Sequence, residues 1–234
     1  MEDVWYNKLG YDNNPFTIKP AIINDDIIGH AQTIERIEEF LFKGGFGILS
    51  GQYGVGKTTL LKTAIKKFVG QKKVIYFSCN RLQASLNLDK FLHQRYGKIG
   101  ELLQIKSKHM ILLLDEAYGL EEKDIINIKK YMRKGYFKSV ILVTPELDKL
   151  KLPKSVKIPE KHIFSLEPLS KKDAIDLIRR RFEDNTYFSD TMIGEIFEKS
   201  SSSRVFLKNC EDVCRYAFEK NHKRVSRKDI AEAL

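Results

Sequence analysis

Two kinds of apolar pattern alternate along this chain. Short, mostly apolar runs at 46–50, 73–78, 109–115, 139–144 and 162–166 have the length of buried strands. Between them lie stretches whose apolar residues recur three or four apart. In 30–42 these are Ile34, Ile37, Phe40 and Leu41, the spacing of a helix with one buried face. The same reading places helices over 58–69, 87–96 and 121–134, closed by Gly70, near Gly97 and by Gly135. A shorter helix or loop is expected over 98–108. Strands alternating with helices predict an α/β domain with a central, parallel, five-stranded sheet, covered by helices on both faces.

From Ser170 onward no strand pattern remains. Helices are expected over 171–182, 190–199, 204–219 and 226–234. Ser170 with Asp173, and Ser226 with Asp229, have the spacing of capping boxes. A small all-α domain therefore follows the α/β domain, with the boundary near Glu167-Pro168. The opening residues read as an irregular arm, because Asn14-Pro15-Phe16 and Lys19-Pro20 force turn or extended backbone. The expected divisions are 1–26, 27–167 and 168–234. There are no repeats, and the one biased tract is Ser200 to Ser203.

Composition narrows the class. In 234 residues, 42% hydrophobic and 31% charged content predicts a soluble globular chain, not a disordered one. No apolar run approaches a membrane span, and Met1-Glu2-Asp3 begins with acid where a signal peptide begins with base. The expectation is an intracellular, cytoplasmic protein with no membrane partner. Three cysteines argue against a disulfide framework. Cys79 ends a strand run. Cys210 and Cys214, four apart, share a helix face, and His222 is poorly spaced to join them on zinc, so two core-facing thiols are the better reading. The net charge of +10 favours anionic partners. A lysine-rich solvated surface would give the same number, since 31 acids are interspersed among 41 bases.

The sharpest chemical signal is Gly51-Gln52-Tyr53-Gly54-Val55-Gly56-Lys57-Thr58, with Thr59 following, set between a strand and a helix. Glycines let several backbone N–H groups turn inward on one phosphate, and the next helix offers its N-terminus to the same anion. Lys57 adds charge for the outer phosphates, and the Thr58 hydroxyl suits Mg²⁺. The predicted ligands are a nucleotide, ATP, and Mg²⁺.

Asp115-Glu116 closes the 109–115 strand run, at the end of a parallel strand where ligands collect. Asp115 suits Mg²⁺, and Glu116 suits proton abstraction from the water that attacks the γ-phosphate. Neighbours on a strand face opposite ways, so their joint use requires the strand to end at Asp115. Thr144 ends the fourth strand run and has two open readings. It orients the attacking water if that strand lies between the first and third, or it merely caps a strand before Pro145. Arg204, after the serine tract, is placed to reach bound phosphate from the all-α domain.

With these pieces in this order the chain resembles an AAA+ P-loop ATPase. The matching residues are Gly51–Thr58 as Walker A, Leu112 to Glu116 as Walker B, Thr144 as sensor 1 and Arg204 as sensor 2. Ile27-Ile28-Gly29-His30 is similar to the segment lining the adenine pocket, which implies Ile28 as a nucleotide contact. The resemblance implies ATP·Mg²⁺ held between base and lid, catalytic roles for Lys57, Glu116, Thr144 and Arg204, and metal ligation by Thr58 and Asp115. The Asn-Pro-Phe arm and the 166–170 junction are similar to origin-recognition initiators and to transposition and secretion helper ATPases. That implies assembly with itself or with a partner AAA+ subunit, and DNA-linked work in replication initiation, loading or mobile-element transposition.

Two features depart from the pattern. Between 150 and 166, where the family carries an arginine finger, there are Lys154, Lys157 and Lys161 but no arginine, and Arg133 is a less orthodox substitute. No winged-helix module follows the lid before Leu234. DNA remains a candidate partner through Lys129 to Lys138, Arg179-Arg180-Arg181, and Lys223-Arg224 with Arg227-Lys228. A nucleotide-gated interaction or signalling module with little hydrolysis and no DNA role is the alternative.

Overall fold

The computed structural model describes residues 5–18, 27–69, 73–81, 86–93, 106–182 and 187–234. The expected turn at Lys19-Pro20, the helix stops at Gly70 and near Gly97, and the connection over 98–105 lie outside them.

Contacts divide the chain into two compact units. Ala31–Gln52 and Lys57–Leu166 form a sheet unit, while Met1–His30, Tyr53–Gly56 and Glu167–Leu234 form a helical unit.

The sheet unit is built on β1 (Gly45–Ser50), β2 (Val74–Ser78), β3 (Met110–Asp115), β4 (Phe137–Thr144) and β5 (Ile163–Ser165). They lie in the order β2-β3-β4-β1-β5, and every pairing is parallel. All six residues of β3 are buried, as a continuous apolar run in a central strand demands. Alternate residues serve opposite faces. Leu112, Leu114, Val140 and Leu142 meet helices α4 (Leu88–His93) and α5 (Glu122–Arg133) through Leu88, Leu92, Ile125 and Ile128. The other face is covered by α2 (Ala31–Lys43) and α3 (Lys57–Val69), and Ser139 on β4 donates to the Leu41 carbonyl of α2 at 2.8 Å. The result is the three-layer α/β architecture of a P-loop nucleotide-binding fold.

β4 begins two residues before the expected 139–144 span. Met110 faces Phe137 and Ile111 faces Ser139, so Lys138 bulges out and interrupts the alternation that sequence reading relies on.

The helical unit contains α6 (Lys171–Arg181), α7 (Asp190–Glu198), α8 (Ser203–Glu219) and α9 (Arg227–Ala233). Both expected capping boxes are present, at Ser170/Asp173 and Ser226/Asp229. Cys210 and Cys214 are fully buried in its core, and burial pushes both thiols up. Among the described residues no cluster of three or more metal-ligating side chains forms.

The described part of the expected 1–26 arm carries a short helix, α1 (Trp5–Lys8), and is built into this same core. Asn14 Oδ1 accepts from the Phe16 N–H at 2.9 Å, and the turn aims a fully buried Phe16 at Phe182 and Phe188. Tyr11 adds a 2.8 Å bond to the Phe182 carbonyl. No helix among the described residues is long and apolar enough to cross a membrane.

Candidate functional site

Parallel register aligns the carboxyl ends of four strands. Ser78 pairs with Asp115 across β2 and β3, and Ser50 pairs with Thr144 across β1 and β4. The chain leaves β1 at Ser50 directly into the Gly51–Thr58 loop, and the Gly51 N–H donates to the Pro145 carbonyl at 3.3 Å.

At the base of the loop Lys57 opens α3. Its ammonium donates to the Gly51 carbonyl and, at 2.9 Å, to that of Gln52. Thr58 Oγ1 donates to Asp115 Oδ2 at 2.7 Å, joining the loop to the end of β3. Thr59 is half-buried on the same first turn. Asp115 is only 7% exposed. Its Oδ2 also accepts from the Tyr76 hydroxyl at 2.5 Å, and its Oδ1 from the Glu116 N–H at 2.9 Å. Burial, with the Asp115 carboxylate beside it, pushes the Tyr76 phenol well up. A hydroxyl and a carboxylate in contact are the hard oxygen donors that Mg²⁺ prefers.

Glu116 resolves the facing problem posed by two adjacent carboxylates. β3 ends at Asp115, and Glu116 adopts φ 55°, ψ 40°, a left-handed turn for a non-glycine residue. Such backbone costs about 1–3 kcal/mol and persists where the surroundings enforce it, commonly at functional sites. The turn breaks the strand alternation, and Glu116 Oε2 accepts from Ser78 Oγ at 2.8 Å. Thr144 is fully buried on β4, which lies between β1 and β3, the condition set for its water-orienting reading. Its hydroxyl donates to the Glu146 carbonyl at 2.7 Å.

The tip of the loop, Tyr53 to Gly56, belongs to the helical unit. The Arg204 N–H donates to the Gly54 carbonyl at 3.2 Å. Gly54 has φ +79°, and a Cβ there would lie 2.9 Å from Ser202 Oγ and 3.2 Å from Arg204 Cβ. Ser202 caps α8, accepting from the Val205 N–H at 3.3 Å. The Arg204 side chain is exposed, Val55 is buried, and Tyr53 is largely exposed. Gly56, at φ +107°, has open space where a side chain would go.

Ile28 is half-buried, one residue before a Gly29 at φ +80°. A Cβ on Gly29 would fall 2.9 Å from Cγ of Asp173, so this segment sits against the start of α6. His30 Nε2 is buried without a hydrogen-bond partner among the described residues, and burial holds the imidazole below its usual range.

The structure thus brings Thr58 to Asp115, Lys57 to the loop carbonyls, and Arg204 to Gly54. Tyr76 and Ser78 were missed by sequence reading. Their signal was polar atoms two apart on an otherwise apolar strand, which puts both on one face. The basic clusters fare differently. Arg179 pairs with Asp190 at 2.6 Å, Arg227 pairs with Glu195 at 3.0 Å, and Arg181 donates to the Thr17 carbonyl at 3.0 Å.

Comparison with known proteins identifies the family and the fold. Residues 45–173 match the family described as AAA domain. The chain is 27% identical over 150 residues to an uncharacterized HTH-type transcriptional regulator of Methanocaldococcus jannaschii, covering 56% of this chain and 36% of that protein. It is 25% identical over 194 residues to a probable disease resistance protein of Arabidopsis thaliana, covering 74% of this chain and 26% of that one. The chain therefore spans about a third or less of the curated relatives it matches. Among solved structures, Cdc6p of Pyrobaculum aerophilum superposes with a TM-score of 0.72 at 16% identity, covering 96% of this chain and 72% of that one. Drosophila ORC bound to DNA gives 0.71 at 17% identity, covering 94% and 63%. A RuvB mutant of Thermotoga maritima gives 0.62 at 15% identity, covering 88% and 69%. At these identities the structural likeness establishes the fold, while the family match extends over more than half of the chain. A phosphate loop, an acidic strand end in contact with it and an all-α region after the sheet accordingly mark this chain as a member of the AAA domain family, with the AAA+ P-loop ATPase fold.

Proposed function

We propose that this chain binds ATP·Mg²⁺ at the Gly51–Thr58 loop and hydrolyses it, using the cycle to drive conformational switching or assembly. The observation that carries the reading is the 2.7 Å bond from Thr58 to Asp115, two residues 57 apart in sequence. Lys57 and the loop N–H groups hold the β- and γ-phosphates, and Ile28 contributes to the adenine end. Thr58 and Asp115 hold Mg²⁺, which when bound neutralises phosphate charge. Glu116 takes a proton from the attacking water as its oxygen bonds to the γ-phosphorus. The bond to the bridging oxygen breaks, and ADP leaves with that electron pair. Thr144 orients the water, and Arg204 registers the γ-phosphate.

The test is ATP-analogue binding and steady-state phosphate release, titrated with protein and with DNA. Lys57→Ala should abolish binding. Full affinity in that variant would overturn the reading. Turnover rising with protein concentration would support self-association or a partner AAA+ subunit.

A DNA-linked role in replication initiation, loading or mobile-element work is supported by the net charge of +10. Fold similarity to an origin-recognition complex solved with DNA supports it further. One observation favours a second reading, a nucleotide-gated module that barely hydrolyses ATP. Residues 150–166 contain no arginine, and lysine cannot supply the bidentate fork that stabilises a transferring phosphoryl group. Phosphate release that stays slow at every protein and DNA concentration would select it.

A further inference from the structure

The sheet unit carries an open concavity of about 410 Å³ lined by Lys129, Met132, Arg133, Lys154, Ser155 and Lys157. Two elements build it. On α5, Lys129 and Arg133 stand four apart and share a face, while Ile125 and Ile128 turn into the core. The 152–158 segment alternates in the same sense. Pro153 is buried, and Leu152, Val156 and Ile158 pack on the sheet core, leaving Lys154, Ser155 and Lys157 exposed. A turn bond from the Val156 N–H to the Pro153 carbonyl at 2.8 Å holds the tip.

Four cations therefore converge on anchored backbone. Like charges four apart on a helix repel and destabilise it slightly, and two more cations across the concavity add to that repulsion. Among the described residues none of the four pairs with a carboxylate. The Lys129 ammonium lies 4.9 Å over the Phe46 ring, and burial, aided by Arg133, holds it below the usual lysine range. The aromatics of the 129–138 stretch behave differently. Phe137 is buried, Tyr131 stacks on it and bonds Asp89 at 2.7 Å, and Tyr136 packs on Tyr131. Apart from the half-buried Lys129, the cations of this stretch point out and its rings pack inward, which leaves phosphate contact without a platform for stacking unpaired bases.

We infer that this concavity is a docking groove for the phosphate backbone of duplex DNA, read without base specificity. It rests on the DNA-linked part of the proposed function and on nothing in the nucleotide chemistry.

The test is fluorescence anisotropy with a labelled 20-base-pair duplex between 50 and 200 mM NaCl. Four phosphate contacts predict a log–log salt slope of about −3.6, a loss of affinity of roughly 150-fold over that range. Replacing Lys129, Arg133, Lys154 and Lys157 together by Gln should abolish that slope and weaken binding at least tenfold at 50 mM. ATP-analogue binding should be unchanged. Lys154→Gln with Lys157→Gln, confined to exposed positions, should remove about half of the slope and covers the case in which the fourfold variant does not fold. Lys223→Gln with Arg224→Gln should change nothing. Wild-type binding that survives the groove substitutions overturns the groove and leaves the DNA-linked reading standing. No duplex binding by the wild type overturns both. Equal competition by poly-glutamate, charge for charge, overturns the duplex assignment in favour of an acidic polypeptide.

Discussion

At the base of the phosphate loop Thr58 reaches Asp115 side chain to side chain, at 2.7 Å. At its tip Gly54 meets Arg204 backbone to backbone, at 3.2 Å, in a space where no Cβ fits. The base depends on which functional groups are present. The tip depends on shape, and the residue that docks there does so through its N–H while its guanidinium stays exposed. Chemistry and positioning are therefore separable by mutation at the two ends of one eight-residue loop.

The largest expected effect tests the chemical end. Glu116→Gln should lower phosphate release by about 10²- to 10⁴-fold, the usual worth of a general base, with nucleotide affinity retained. Undiminished turnover would remove Glu116 from the catalytic role.

The tip comes next. Gly54→Ala forces a side chain into a left-handed conformation, which costs about 1–2 kcal/mol before any clash with Ser202. A melting point lower by about 2–8 °C is expected. Arg204→Ala keeps the backbone contact, so stability should hold within about 0.5 kcal/mol. If Arg204 registers the γ-phosphate as proposed, losing that charged hydrogen bond should still cut the preference for ATP over ADP about tenfold. If both variants lost stability equally, the tip would be held by the arginine side chain and the comparison would collapse.

A smaller effect sharpens the base. Tyr76→Phe deletes one hydrogen bond to Asp115, worth about 1 kcal/mol, and should shift the Mg²⁺ concentration for half-maximal hydrolysis several-fold. An unchanged Mg²⁺ response would make Tyr76 a packing residue only.

The smallest effect concerns His30. Burial keeps its folded-state pKa below 6.5, although Asp173 and Glu167 act to raise it. Between that lowered value and 6.5 the unfolded chain binds the extra proton, so stability falls as pH drops through this window and levels off below it. Melting curves from pH 7.5 to 5.5 should show a steeper loss for the wild type than for His30→Gln.

Much of the site was legible because its signals are local. The glycine spacing, the strand run into Asp115-Glu116 and the two capping boxes each lie within a dozen residues, where propensity and periodicity operate. The roles of Tyr76 and Ser78 were not legible. β2 reaches the acidic pair only by pairing with β3, and the connection between them spans more than thirty residues. The arm misled for a similar reason. Asn14-Pro15-Phe16 reads as a turn, and it is one, but nothing local tells that Phe16 is the centre of an aromatic core with Phe182 and Phe188.

The sequence by itself determined the strands and helices, the phosphate loop and the types of group available for chemistry, because backbone preferences and apolar periodicity act over short separations. Only the tertiary structure decided which groups meet. Strand order and register placed Ser78 beside Asp115 and sent β4 between β1 and β3. The left-handed turn at Glu116 and the glycine-only gap at Gly54 exist because distant segments crowd or satisfy those positions. Contacts of that kind depend on packing across long loops, and no window of sequence contains both sides of them.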